Sequence, residues 1–210
     1  MDAKATCVQL GTARSESAQL RNVTWFHGTV DEFTQPFDIG LATHLCGEAT
    51  DMAQAQCLRH EAAFILTPCC LGKIKHVLCD DDRRTACPEP IAAAATASIA
   101  ATASIAGTST DMAARRLLKY PRSLWLRGWM THSDYMRLVR LSDFTQVGTP
   151  AQVASKRLMD TDRMAVAAEA GYDTVAGTLW PLEASPKHDV LLGAPARHRL
   201  ITRMQQLAQR

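Results

Sequence analysis

The sequence predicts an α/β fold, and three observations carry that prediction. Asp38–His76 reads as strand, turn, helix, strand, turn, with both strands ending in small, polar or sulfur-bearing residues. Ala62–Leu66 (AAFIL) is a short unbroken apolar run, the pattern of a strand buried on both faces of a parallel sheet. The chain then closes on helix, strand, strand, an order that allows an antiparallel hairpin at the end of the sheet. Ligands of such sheets sit outside the carboxyl ends of the strands, so the turns after the two apolar runs are the candidate site.

Each element has its own local reason. Residues 1–21 are small and polar, with a short helix expected near Ser15–Leu20 in a weakly ordered segment. Asn22–Phe26 (NVTWF) has strand composition. Ile39–Ala42 (IGLA) is the next strand, running into a turn where Gly47 takes a backbone conformation closed to other residues. Thr50 or Asp51 suits the N-cap of a helix reaching about His60, because either side chain accepts from free backbone donors. Pro68 lacks the donor needed to continue a ladder and ends the AAFIL strand. The stretch 80–111 begins with Asp80, Asp81, Asp82, Arg83 and Arg84 and contains ATASIA twice, at 95–100 and 101–106. It reads as a low-complexity insertion. Arg115–Phe144 mixes helix and loop, with a break at Tyr120–Ser123. Ser155–Gly171 is helical, Gly171 fitting the left-handed position after the helix. Tyr172–Leu179 and Asp189–Leu192 are strands joined by Pro181–His188, and 196–210 reads as a helix or tail.

The bulk numbers narrow the classes. A chain of 210 residues with 47% hydrophobic and 21% charged residues has the composition of a globular domain with a core. A net charge of +2 does not by itself argue for nucleic acid. No run of about 18 apolar residues argues for a membrane span. The first residues carry no apolar core of the kind a signal peptide needs. Seven cysteines, an odd number that includes the adjacent Cys69 and Cys70, favour reduced thiols and a cytoplasmic setting.

Four strings carry a family resemblance: HLCGEATD (His44–Asp51), TPCCLGKI (Thr67–Ile74), DTDRMAVAAEAGYDT (Asp160–Thr174) and SPKHDVLLGAP (Ser185–Pro195). With gaps, from about Asn22 to Pro195, the chain resembles the methyltransferase domain of the glutathione S-transferase C-terminal domain-containing protein family. The resemblance implies an S-adenosylmethionine-dependent class I fold, a Rossmann-like sheet of seven strands ending in an antiparallel hairpin. It implies that Gly28 and Thr29 lie near the adenosine and that Thr43 and Gly47 lie beside the transferred methyl group. Pro68, Cys69, Cys70 and Lys73 would line the acceptor side. The acceptor itself is unnamed. The chain departs from the pattern in having no glycine-rich loop before Asn22, so backbone donors for the cofactor are missing. That departure reads as an incomplete sheet, a fragment or a degenerate descendant, whose exposed apolar strand edge invites a completing chain.

Methyl transfer needs positioning groups and sometimes a base. His44 is the candidate proton acceptor, or a histidine that braces its turn. Cys46 and Asp51 complete the candidate catalytic set, against the plainer readings of a packed thiol and a helix cap. A zinc reading would combine Cys69 and Cys70 with Cys46, Cys79, Cys87, His44 or His76, but no C-x-x-C pairing of the kind structural zinc sites use exists, so no metal ligand set is assigned. HLCGEATD is also similar to a family of tRNA ribose methyltransferases, which makes an RNA-directed methyltransferase the second reading. Lys73, Lys75, Arg115, Arg116, Lys119, Arg122 and Arg127 would then meet phosphates, with Trp125 and Trp129 stacking on bases. The plainer reading is a solvated helix face. The third reading is a non-catalytic remnant or binding module.

Overall fold

The computed structural model describes residues 1–71, 74, 118–144, 147–185 and 187–196. The chain divides into two units, Met1–Lys75 with Leu118–Arg210, and His76–Leu117, and every described residue falls in the first. The expected insertion at 80–111 and the tail beyond residue 196 lie outside the described residues.

Four strands form one mixed sheet in the order β1-β2-β4-β3. Strands β1 (Ile39–Thr43) and β2 (Ala63–Thr67) are parallel, joined by helix α2 (Glu48–Arg59). Strands β3 (Tyr172–Thr178) and β4 (Asp189–Pro195) form the antiparallel hairpin, and β4 also pairs antiparallel with β2. Among the described residues three helices stand between β2 and β3: α3 (Leu124–Arg127), α4 (His132–Leu141) and α5 (Pro150–Glu169). The α/β class therefore holds, as a four-stranded sheet with five helices among the described residues. The seven-stranded class I methyltransferase sheet is not what these residues build.

One face of the sheet makes the core. Ala42, Phe64, Leu66, Tyr172 and Leu191 pack with Cys57 of α2 and Ala167 of α5. The Tyr172 hydroxyl reaches the carbonyls of Cys57 at 3.1 Å and Ala62 at 3.2 Å, so the ring's one polar atom is satisfied inside the core. Burial pushes the Cys57 thiol up to about 11 and keeps it protonated and unreactive. On the opposite face Leu41, Ile65, Leu192 and Val175 stand in one register row across all four strands. Leu41, on the outer strand β1, is 72% exposed. The expectation that AAFIL is buried on both faces is corrected at Ile65, whose face of the sheet is left partly open.

Other departures have local causes. Helix α1 spans Ala5–Ser17, earlier and longer than expected, and carries no apolar stripe. Trp25 anchors it: the Nε1–H donates to Ser15 Oγ at 3.0 Å, and the ring lies against Gly11, where an added Cβ would collide with it. Asn22–Phe26 forms no strand. This segment finds no ladder, only an isolated parallel bridge between Asp2 and His27. Helix α5 starts at Pro150, five residues before the expected Ser155, because Thr149 caps it by accepting from the Gln152 backbone N–H while Gln152 Oε1 accepts from Thr149 N–H.

Gly193 on β4 lies against the fully buried Phe64 ring, where an added Cβ would collide with it. Gly193→Ala is expected to destabilise the fold by about 1–3 kcal/mol through overpacking. Gly177→Ala, on β3 where a Cβ meets only ordinary contacts, is expected to change little. Urea unfolding midpoints of the two variants check the pair.

Candidate functional site

The parallel register of β1 and β2 brings their carboxyl ends side by side, with Thr43 opposite Thr67. The Thr67 hydroxyl donates across to the Ala42 carbonyl at 3.5 Å. Two turns follow, His44–Gly47 and Pro68–Cys70, and they touch: the Gly47 N–H donates to the Cys70 carbonyl at 2.9 Å. Gly47 has φ +65° and ψ −132°, a conformation that glycine reaches and a side chain resists. It is the N-cap of α2, so the expected cap at Thr50 or Asp51 is corrected. Both residues lie inside the helix, and the Thr50 hydroxyl instead donates back to the Leu45 carbonyl, bracing the turn. His44 is exposed, with φ +55°. Pro68 is buried and ends β2 as expected.

Three sulfurs converge between these turns. Cys46 Sγ lies 3.5 Å from Cys69 Sγ, which lies 4.0 Å from Cys70 Sγ. All three sulfurs are within 4.8 Å of one another, and each residue is partly buried. Cys46 also reaches the His44 carbonyl at 3.7 Å. Burial raises the Cys70 thiol, and the Cys46 sulfur beside it adds to the rise. The group is crowded enough to link sulfur to sulfur, and each of the three residues keeps part of its surface exposed.

Asp51 has a different part. Its carboxylate is 1% exposed and accepts four hydrogen bonds: from Arg163 Nε at 2.7 Å and Nη2 at 3.1 Å, Arg122 Nη1 at 3.1 Å and Tyr120 OH at 2.8 Å. Burial alone would raise it, but the guanidiniums of Arg163 and Arg122 outweigh that and hold the carboxyl below its usual 3.8. The same two-sided pairing raises Arg163. Around this pair Arg163 Nη1 reaches Asp160 at 3.1 Å, and Lys156 bridges Asp160, at 2.6 Å, to Asp189 of β4. Gln54 joins by donating to the Arg163 carbonyl at 2.8 Å and accepting from Arg122 at 2.7 Å. With its acceptor sites filled, Asp51 joins α2, α5 and the 120–123 turn, and has no lone pair left for an incoming proton.

The remaining candidates separate from the thiols. Gly28 and Thr29 belong to a turn in which the Thr29 N–H donates to Glu32 Oε2 at 2.7 Å. The next residue, Val30, accepts from Gln56 of α2 at 3.0 Å, about 13 Å along the helix from Gly47 at 1.5 Å per residue. Lys73 lies outside the described residues, as do Lys75, Arg115 and Arg116. Of the remaining basic candidates, Arg122 is buried in the Asp51 network, and Arg127 donates to the carbonyls of Pro121 at 2.6 Å and Lys119 at 3.3 Å. Trp125 and Trp129 are exposed and pack edge to face at 5.4 Å. The ion network of α5 carries its own signal in spacing: positions 156, 160, 163 and 167 fall on one buried stripe of the helix, and three of them, Lys156, Asp160 and Arg163, are charged.

Comparison with known proteins gives relatives named glutathione S-transferase C-terminal domain-containing protein. The mouse (Mus musculus) protein is 28% identical over 187 residues, covering 87% of this chain and 24% of the relative. The Xenopus laevis protein is 29% identical over 198 residues, covering 92% of this chain and 25% of the relative. A Drosophila melanogaster homolog is 26% identical over 202 residues, covering 92% and 28%. The chain thus spans about a quarter of the length of the curated relatives it matches. No family model matches the chain, and no solved structure matches it significantly. No helix among the described residues is long and apolar enough to cross a membrane.

These names carry a glutathione S-transferase domain and no methyl transfer, which corrects the expectation of a methyltransferase and of S-adenosylmethionine as its cofactor. The RNA-directed and non-catalytic alternatives fit the names no better. The strings behind the resemblance do structural work here. HLCGEATD supplies the Gly47 cap and Asp51, while DTDRM supplies Asp160, Asp162 and Arg163 of the buried network.

Asp51→Asn is expected to lower stability by about 3–5 kcal/mol, because it leaves Arg163 and Arg122 without their counter-charge. The sign of the pH effect follows from the lowered carboxyl. In the native chain this stabilisation is complete above the usual value of 3.8 and is lost as pH falls through the lower folded value. Unfolding free energy measured from about pH 7 down to about pH 2 is expected to fall on the acid side, and to fall less steeply in the variant.

Proposed function

We propose that this chain works through Cys46, Cys69 and Cys70 as a thiol–disulfide exchange site for glutathione. The observation that carries the reading is the 3.5 Å approach of Cys46 Sγ to Cys69 Sγ across two turns that the sheet register brings together. The printed name of the relatives supports glutathione as the small thiol, and the whole relatives are about four times as long as the matched region.

The chemistry needs a thiolate, an electrophilic disulfide and a second sulfur within reach. Cys46 immediately precedes the N-cap of α2, and the positive end of the helix dipole favours negative charge nearby. Its thiolate attacks oxidised glutathione, forming a Cys46–glutathione disulfide and expelling one glutathione thiolate, which takes up the proton Cys46 released. Cys69 then attacks the Cys46 sulfur, forming the Cys46–Cys69 disulfide and releasing the second glutathione in the same way. Two cysteine thiols are oxidised and one glutathione disulfide is reduced to two thiols, so electrons and protons balance. Cys70, its proton held by burial and by Cys46, is the third sulfur and not the first attacker. The Gly47 N–H bond to the Cys70 carbonyl and the buried Pro68 hold the two lips together, with Thr43 and His44 at the rim. A reducing cytoplasm, where these thiols stay free, is the setting this reading requires.

Treating the reduced full chain with oxidised glutathione and reading intact mass checks the proposal. The expected product has lost two hydrogens, and peptide mapping locates the link at Cys46–Cys69. In Cys69→Ser the glutathione adduct is expected to persist on Cys46. Buried Cys57 is expected to stay unmodified. Modification of exposed Cys7 alone, with Cys46 and Cys69 untouched, would sink the reading.

A further inference from the structure

We infer that Cys46, Cys69 and Cys70 together bind one thiophilic d10 cation, Zn²⁺ or Cu⁺, through their three sulfurs, with one coordination position open to an outside thiol. This rests on the reading of the trio as the functional site and adds what regulates it.

Geometry is the first support. Three sulfurs about 2.3 Å from one Zn²⁺ stand about 3.8 Å apart in a tetrahedral site. The observed separations are 3.5 Å and 4.0 Å, with the third pair within 4.8 Å. Capturing an ion therefore asks for shifts of about 1 Å or less in side chains that no disulfide constrains. The sulfurs come from two turns clamped by the Gly47–Cys70 hydrogen bond and by the ladder beneath, so the site exists before the ion arrives.

Donor chemistry is the second support. Three free thiols crowd within 4.8 Å of one another. A cation bound among them replaces up to three thiol protons, which leave to solvent, and holds the sulfurs by shared coordination. Thiolate donors select d10 ions over hard cations such as Mg²⁺.

The open position is the third support. Among the described residues no further His, Cys, Asp or Glu joins the cluster. Structural zinc sites are closed by four protein ligands, whereas three ligands leave a place for water or substrate. A small thiol such as glutathione fits that place. Occupancy then controls exchange, because a coordinated sulfur is unavailable to attack a disulfide. The sequence reading assigned no metal because it sought short ligand spacings; this cluster pairs residues 23 positions apart.

The test uses the reduced full chain. Co²⁺ titration is expected to give a sulfur-to-cobalt charge-transfer band saturating at one ion per chain, which Zn²⁺ then bleaches by displacement. A parallel arm with Cu⁺ tells which d10 ion binds more tightly. Cys46→Ser and Cys69→Ser are each expected to weaken Zn²⁺ binding by more than about 100-fold, since loss of a mere supporting partner costs about 10–100-fold. Cys7→Ser, and Cys79→Ser with Cys87→Ser, are expected to bind as the native chain does. No charge-transfer band and no Cu⁺ binding would overturn the inference. So would binding that survives Cys46→Ser and is lost in the Cys79/Cys87 variant. Oxidised glutathione, run with chelator present, tests exchange without metal. If exchange occurs and neither Co²⁺ nor Cu⁺ binds, only this inference falls; if either ion binds and exchange is absent, only the exchange reading falls. With Zn²⁺ at 100 times its Kd, exchange is expected to slow about 100-fold by mass action.

Discussion

The buried pairing of Asp51 with Arg163 is the constraint on which the rest of the molecule depends. It is made in the first turns of α2 and the middle of α5, helices that pack on the same face of the sheet. Arg122 and Tyr120 bring the 120–123 turn to the same carboxylate, and Asp160, Lys156 and Asp189 extend the network to the hairpin. Burying such charges carries a desolvation penalty of several kcal/mol per ion, so the network is a poor source of net stability. Its value is specificity. An apolar substitute would let α2 rotate or slide on α5, whereas a carboxylate with four donors allows one arrangement.

That arrangement fixes where α2 begins, and hence where the thiols sit. Asp51 is one turn into the helix from Gly47, and Gly47 carries the bond to Cys70. The polar groups of the network satisfy one another, while the three sulfurs beside them make only weak, long contacts. A satisfied acid in the interior and underused sulfurs at a strand end divide the labour between structure and chemistry. The same logic governs α3. Its first backbone donors are met by Glu169, and Ser123 at its cap by Asp162, so two acids of α5 serve as helix caps.

What the sequence reveals here is what is local. The apolar runs of β1 and β2, the stop at Pro68, the positive-φ turn at Gly47, the left-handed Gly171 after α5 and the closing hairpin all follow from neighbours along the chain. Helix α1 is hidden because it lacks an apolar stripe, and NVTWF looks like a strand because composition does not show whether a ladder partner exists. The charged stripe of α5 reads as solvated because charge normally is. It is buried because Asp51, Gln54 and Arg122 come to it from 40 or more positions away in the chain. Candidate site residues were legible in part for the same reason. Thr43, His44, Cys46, Gly47, Pro68, Cys69 and Cys70 meet because strand ends meet, whereas Asp51, Gly28 and Thr29 are claimed by packing. The strings behind the resemblance hold a capped turn and part of an ion network, and their letters do not distinguish that from a methyl-transfer site.

The thiol trio is in effect a readout of strand register. Cys46 lies three residues past Thr43, Cys69 and Cys70 lie two and three past Thr67, and Thr43 stands opposite Thr67. A slip of one residue would displace one turn by about 3.3 Å against the other and turn the inward side chains of a strand outward. Such a displacement is as large as the 3.5 Å sulfur contact itself and breaks it. The same slip would pull Phe64 from the space left by Gly193 and Leu66 from the core, so the packing that penalises it also protects the sulfur geometry. Sulfur chemistry in this chain is therefore tied to the sheet beneath it: whatever preserves the β1–β2 ladder preserves the site.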